Sequence, residues 1–332
     1  MKKIFLIIIN YSLLIFHSAV ACSQIKWTNI DSLYQPLPQS VHIYFTNEKI
    51  DSGEFRAYYI EADLKDRKLE FTVDTALNRR LTPKSYYEKD GHPFVVSNCS
   101  FFSFQTNRNV NVLVKEGKLI SYDTEFVKGK GKDSLLHFFT LRSAIGINKK
   151  GEADIAWTAA DSSMKFPIAF EAPEKPLALK ENFIRSRNYI RSADIKGYLK
   201  RNTGKKIRKW KMKTAIGGGP VLVQNGEVSI SNNEEMMFAG KALYDKHPRT
   251  AIGYTQSGKL ILLVIEGRNP NATGANLEEE AKILKDIGCW QALNLDGGGS
   301  SYMLVNGKPT IKPSDISGQR AVPAVFIIQQ KH

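Results

Sequence analysis

The feature that most constrains this chain is the run Asn294-Leu295-Asp296-Gly297-Gly298-Gly299-Ser300, entered from Ala292-Leu293 and left through Ser301-Tyr302-Met303. Three successive glycines cost backbone entropy at every position. A chain tolerates that where the main chain bends sharply or passes close to a ligand. An apolar strand that delivers Asn294 and Asp296 to such a loop builds a polar site at a strand end, with the Ser300 and Ser301 hydroxyls just beyond it.

The start of the chain is a targeting segment. Lys2 and Lys3 form a basic region, Ile4 to Phe16 is mostly apolar, and Ala19-Val20-Ala21 makes a small-residue cleavage site. Residues 1–21 are therefore expected to be a signal peptide. Cys22 after small residues resembles a bacterial lipobox, although Ala19 stands where Leu is usual. The expectation is an exported protein of the periplasm or outer envelope, with Cys22 a candidate for lipid anchoring. About 310 residues remain, enough for one large domain or two modest ones.

The formal net charge is +14, and loss of the two leader lysines leaves +12. Residues 185–213 carry twelve Lys and Arg against the single acid Asp194. Such a surface attracts polyanions. For an exported chain the expected partners are an anionic glycan, a sugar-phosphate or an anionic membrane, and not nucleic acid. A solvated basic face is the plain alternative. Three cysteines exclude a disulfide scaffold; Cys99 and Cys289 would form one bridge or stay as buried thiols.

Residues 22–40 read as a polar, proline-containing tether, and 41–90 as a strand-rich N-terminal extension. His42–Phe45, Phe55–Ala62 and Leu69–Val73 read as strands. Phe94–Val96 runs as an apolar strand into Asn98-Cys99-Ser100. Arg142-Ser143-Ala144-Ile145-Gly146 and Arg249-Thr250-Ala251-Ile252-Gly253 share one strand phrase. Leu277–Ile287 is the clearest helix, with Asn276 as its cap, three glutamates in its first turn and Gly288 as its stop. The apolar runs Leu260–Glu266 and Trp290–Leu295 flank it, which predicts one strand–helix–strand crossover. The pattern as a whole predicts an α+β fold: a mixed, mostly antiparallel sheet core with few helices and glycine-rich active-site loops.

Three strand ends deliver polar groups beside small residues: Asn98, then Glu266-Gly267-Arg268, then Asn294 with Asp296. Two carboxylates flanking one crossover can divide acid and base or nucleophile work between them. Arg249 and Arg268 can fork onto phosphate. The loops Gly217-Gly218-Gly219 and Gly297-Gly298-Gly299 can offer backbone N–H groups to an anion. No nucleotide-loop spacing, HExxH, paired CxxC or GxSxG occurs. A hard cation such as Ca2+ on Asp296, Asn294 and Glu266 is chemically compatible, though nothing in the sequence requires one.

In this order the pieces resemble the phosphodiester glycosidase family, over about residues 90–328 and most strongly over 247–305. Asn98-Cys99-Ser100-Phe101-Phe102 corresponds to the family's Asn-Gly-Gly-Phe-Phe, Gly217 to Pro220 to its Gly-Gly-Pro, and Arg249 to Gly253 to its Arg-Thr-Ala-Val-Gly. Glu266-Gly267-Arg268 stands for Asp-Gly-Arg. Asn294 to Ser300 is identical to the family run, and Pro313-Ser314-Asp315 and Arg320 have counterparts too. Two departures stand out: Cys99-Ser100 for two glycines, which would narrow the space beside Asn98, and Glu266 for Asp. The resemblance implies a catalytic domain over 91–332 that cleaves the sugar C1–O bond of a sugar-1-phosphodiester. It implies Asp296 and Glu266 as catalytic carboxylates. Asn98, Arg249, Thr250, Arg268, Asn294, Gly217, Gly218, Gly297, Gly298, Gly299 and Ser300 would contact substrate. A phosphodiesterase cutting P–O, and a non-catalytic envelope module binding anionic glycan, are the competing readings.

Overall fold

The computed structural model describes residues 25–51, 53–123, 126–129, 131–180 and 207–331. The segment expected to be a signal peptide, Cys22 and the basic run from Arg185 to Lys206 lie outside the described residues. The fold is α+β and mostly antiparallel: sheets of eight, seven, five and three strands with few helices.

The eight-stranded sheet is the middle layer. Its central strands Ala57–Asp63, Lys259–Ile265, Arg249–Tyr254 and Gln291–Asn294 lie side by side in that order. Lys259–Ile265 explains why a continuous apolar run was needed. Leu260, Leu262 and Val264 face a core shared with the other sheets. Ile261, Leu263 and Ile265 face a second core under the helix Leu277–Ile287. A strand buried on both faces has no polar side to alternate with.

The helix spans the predicted residues. Asn276 accepts from Glu279 N at 2.9 Å, Glu279 returns the bond to Asn276 N at 2.9 Å, and Gly288 closes the other end at φ 99°. This reciprocal cap satisfies two of the orphan N–H groups of the first turn. Lys259–Ile265 and Gln291–Asn294 both pair antiparallel with Arg249–Tyr254. They are therefore parallel to each other, and the helix carries the crossover past the strand between them.

The N-terminal segments are built into this frame. Val41–Thr46 and Ala57–Asp63 extend the central sheet, while Leu69–Thr75 pairs with Ala324–Gln330 in the five-stranded sheet. Residues 25–40, expected to be a tether, are packed instead. Thr28–Asn29 pairs with Tyr44–Phe45, Trp27 sits edge-on to Tyr59 at 4.7 Å, and Asp31 accepts from Ile43 N at 2.7 Å. Aromatic burial next to a short strand outweighs the polar composition that suggested a linker. Cys99 and Cys289 are both free and buried, so the bridge is not formed.

Gly217 to Pro220 carries the chain from the seven-stranded sheet (Thr214–Gly217) into the central one (Val221–Gln224). A side chain on Gly218 would strike the Asn294 carbonyl, so only glycine lets the two backbones approach. Asn276→Ala is expected to cost about 1 kcal/mol in urea unfolding, with little effect on the sheets as read by near-UV circular dichroism.

Candidate active site

Asp296 follows the Gln291–Asn294 strand and is partly buried at the mouth of the Gly297–Gly299 loop. Its backbone is clamped from both sides: Asp296 N donates to Cys99 O at 2.9 Å, and Asp296 O accepts from Asn98 Nδ2 at 2.6 Å. Burial pushes the Asp296 carboxyl up to about 6, opposed by the Ser300 hydroxyl, the Arg320 charge and the Gly297 N–H. Neither opposing charge nor dipole cancels the desolvation, because removing a carboxylate from water penalises the ionised form first.

Cations surround the loop. Arg268, at φ 63°, lays its guanidinium over Gly298: its two terminal nitrogens lie 3.1 and 3.4 Å from where a side chain would begin. It also reaches His247 Nδ1 at 3.3 Å. Burial, then Arg249 and Arg268, hold His247 below its ordinary value, so its imidazole is poised to stay neutral and accept from Arg268. Arg320 makes a two-pronged ion pair with Asp315, Nε to Oδ2 at 2.8 Å and Nη2 to Oδ1 at 2.9 Å, and that pair lies against Gly299. Bidentate pairing fixes both planes. Asp315 and Arg320 had only a family counterpart in the sequence, and His247 was passed over as a neighbour of Arg249.

Arg249 begins its strand directly beneath the loop, whose Gly298 N donates to Pro248 O at 2.8 Å. The Arg249 side chain is only 2% exposed. Nε donates to Ala275 O at 3.0 Å, the guanidinium stands 5.6 Å from the Phe238 ring centre, and Nη2 has no hydrogen-bond partner among the described residues. Nearby Glu280, on the helix, is fully buried, and among the described residues both its carboxyl oxygens lack hydrogen-bond partners. Burial pushes Glu280 up to about 8, with Arg249 opposing. No periodicity argument finds Glu280, because it occupies an apolar position of its helix.

The second glycine loop has its own supports. Asn111 Nδ2 donates to Gly218 O at 3.2 Å and Asn294 Nδ2 to Gly219 O at 2.9 Å, and among the described residues neither Oδ1 has a partner. Ser100 Oγ donates to Gly217 O at 2.8 Å. Behind the loop Glu235 accepts five hydrogen bonds: from Ser143 N and Oγ, Trp157 Nε1, Val221 N and Ser231 Oγ.

Several expected substrate contacts are turned inward. Asn98 and Thr250 are fully buried, and Thr250 Oγ1 donates to Asn98 Oδ1 at 3.0 Å. They bond to each other because both sit at the interface of two sheets. Cys99 and Ser100 are buried as well. Burial pushes the Cys99 thiol up to about 12. Glu266 is held by Asn269 Nδ2 at 3.0 Å and Lys312 N at 3.1 Å, with Arg56 Nε at 3.8 Å. Both its oxygens are engaged in anchoring loops. Among the described residues no three His, Cys, Asp or Glu side chains gather as a metal site.

Comparison with known proteins agrees with the motifs. The phosphodiester glycosidase family model matches residues 185–329. The bovine (Bos taurus) N-acetylglucosamine-1-phosphodiester alpha-N-acetylglucosaminidase is 42% identical over 108 residues, 30% of this chain and 20% of its own length. The chain thus matches about a fifth of the length of these curated relatives. The zebrafish enzyme's catalytic domain, auto-inhibited by its pro-peptide, superposes with a TM-score of 0.57 at 22% identity, covering 90% of this chain and 85% of that one. A hypothetical protein from Synechocystis gives 0.65 at 14% identity, over 92% and 64%. The fold is shared with both, and the chain resembles the phosphodiester glycosidases.

Glu280 has its ordinary value near 4.5 when unfolded and about 8 when folded. The folded state therefore binds the extra proton between these values, and its contribution to stability is full below pH 4.5 and lost as pH rises through 8. Melting temperature is expected to fall from pH 5 to 8.5, and Glu280→Gln to flatten that slope in differential scanning calorimetry.

Proposed function

We propose that this protein hydrolyses the sugar C1–O bond of a sugar-1-phosphodiester, of which a GlcNAc-1-phosphodiester is the model, releasing free sugar and a phosphomonoester. The observation that carries this reading is Asp296, raised to about 6 by burial, at the mouth of a glycine loop over which Arg268 lies and against which Arg320 packs. Two cations suit a phosphodiester, whereas the N–H groups of Gly217, Gly218, Gly219 and Gly298 are already spent on main-chain carbonyls, unlike the expectation that they would meet an anion. One tuned carboxyl suits the anomeric carbon.

In this mechanism Arg268, with Arg320 steadied by Asp315, holds the phosphate. The C1–O bond breaks with its electron pair left on the phosphate oxygen. That leaving group is stable, so proton donation to it matters less than for an alkyl glycoside. Ionised Asp296 faces the oxocarbenium-like centre and takes a proton from the attacking water, whose oxygen bonds to C1. Glu266, Asn98 and Thr250 act as positioning residues. Asn294 and Ser300, both buried, act as positioning residues too: Asn294 supports the Gly219 carbonyl and the Ser300 hydroxyl favours the ionised Asp296 carboxyl. The relatives named as acting on N-acetylglucosamine-1-phosphodiesters support the choice of substrate. The leader and Cys22 support a reaction outside the cytosol, on the envelope face, with 91–332 as the catalytic region in this reading.

The test is turnover of a GlcNAc-1-phosphodiester in heavy-oxygen water by the chain from residue 23 onward, with and without chelator. Label in the sugar supports C1–O cleavage; label in the phosphate would replace it with P–O cleavage. Asp296→Asn is expected to lower kcat/KM by about 100-fold or more, and Arg268→Ala to act mainly through KM. The wild-type rate should rise with pH around an apparent value near 6, the acid limb set by Asp296 ionising. The Asn variant should melt at or above the wild-type temperature at pH 7, since it removes a carboxylate that burial disfavours. Full turnover by Asp296→Asn sinks the assignment.

A further inference from the structure

A second pair of cavities opens away from the glycine loops. One, of about 590 Å³, lies where the turn after Ala57–Asp63 meets the turn after Arg142–Ile147. Six cations line it (Lys65, Arg67, Lys149, Lys150, Lys213 and Lys331) against two carboxylates, Asp66 and Glu70. The carboxylates are already engaged. Glu70 accepts from Lys213 Nζ at 2.7 Å and Gln329 Nε2 at 3.1 Å, and Asp66 from Ser40 Oγ at 2.5 Å and Lys68 N at 2.8 Å. Among the described residues no carboxylate pairs with Arg67, Lys149, Lys150 or Lys331 within 4 Å, and all four are exposed. Lys65 has only Glu152 at 4.0 Å.

The cavity is held open by backbone. Lys213 N donates to Ile147 O at 2.9 Å, Lys331 N to Lys68 O at 2.7 Å, and Leu64 N to Gly258 O at 3.1 Å. Gly151, at φ 71°, lets the two turns touch, since a side chain there would strike the Leu64 carbonyl.

A second cavity of about 510 Å³ shares Asn148, Lys149, Lys150 and Lys213 with the first, so the two form one trough. Its far half is lined by Phe166 and Lys211 together with the carboxylates Glu116 and Glu152, and the ammonium groups of Lys165 and Lys211 stand 5.6 and 5.8 Å from the Phe166 ring centre. A lone phosphate would occupy a small part of this volume. A neutral glycan would leave the cations without partners.

We propose that the trough binds a phosphodiester-linked glycan chain, its phosphates on Arg67, Lys149, Lys150 and Lys331 and a sugar ring on Phe166. This site is separate from Asp296, while the choice of a phosphodiester-linked ligand rests on the function proposed above. Seven cations against four carboxylates (Asp66, Glu70, Glu116 and Glu152) around one trough favour a polyanion, and an aromatic ring beside them suits the apolar side of a sugar ring. It also absorbs the end of the basic run, through Lys211 and Lys213.

The test uses fluorescence anisotropy with a labelled phosphodiester-linked N-acetylhexosamine oligomer, in the Asp296→Asn background so that the probe stays intact. Lys149→Glu with Lys150→Glu should weaken binding at least about 10-fold and lower the salt dependence by about two counter-ions. Turnover of a monomeric sugar-1-phosphodiester by the same pair of changes, in the otherwise native chain, should be unchanged. Lys331→Glu, at the chain terminus, is the second variant and should weaken binding several-fold. Binding within twofold of the parent in both variants overturns the proposal. So does equal or tighter binding of the dephosphorylated oligosaccharide, of an oligonucleotide of the same charge, or of vesicles of anionic lipid.

Discussion

The arrangement depends on the carboxamide of Asn98. It ends a strand of the five-stranded sheet, yet its Nδ2 donates to Asp296 O, and its Oδ1 accepts from Thr250 Oγ1 and from Tyr302 N at 3.0 Å. One side chain thereby joins two sheets and both ends of the Gly297–Gly299 loop. A buried carboxamide does this because it offers donor and acceptor in one rigid plane. An aspartate there would present only acceptors to the Asp296 carbonyl, and a leucine would orphan every partner. Orphaned buried groups cost about 1–3 kcal/mol each.

The two glycine loops are tied to each other by the residues that depart from the family pattern. Ser100 bonds to Gly217 O, and Cys99 both fills the core and accepts from Asp296 N. The backbone of Asp296 is thus fixed by main-chain groups on one side and Asn98 on the other, while its carboxyl is left at the loop mouth. Rigidity of the support permits the desolvation that raises its proton affinity. A carboxylate free to swing outward would recover its water and its ordinary value.

Much of this was legible in the sequence. The double-faced strand Lys259–Ile265, the capped helix and the triple-glycine loop each follow from local rules, and they carry Asp296, Arg249 and Arg268 into one region. What the sequence hid was direction and partnership. Asn98 and Thr250 read as polar groups at strand ends, but which sheet each one faces depends on packing between sheets. Glu266 read as half of a catalytic pair, while its oxygens serve Asn269 and Lys312, a contact between segments 46 residues apart. The packed segment 25–40 was missed because its polar composition conceals two anchors, Trp27 and Asp31.

The repeated phrase shows what separates scaffold from site. Arg142 and Arg249 each begin an inner strand of their sheet, each is buried, and each feels a buried glutamate, Glu235 or Glu280. Around Arg142 the circuit is closed: Glu235 takes five donors, and Arg142 bonds to the Glu235 carbonyl. Around Arg249 it is open. Among the described residues Glu280 has no donor, so burial keeps its proton on at neutral pH and it offers Arg249 little compensating charge. The unbalanced cation lies directly under the Gly297–Gly299 loop, together with Arg268. Two strands of one local recipe therefore differ in the hydrogen bonds given to one glutamate, and in the proposed function the one left unsatisfied supplies positive field beneath the phosphate.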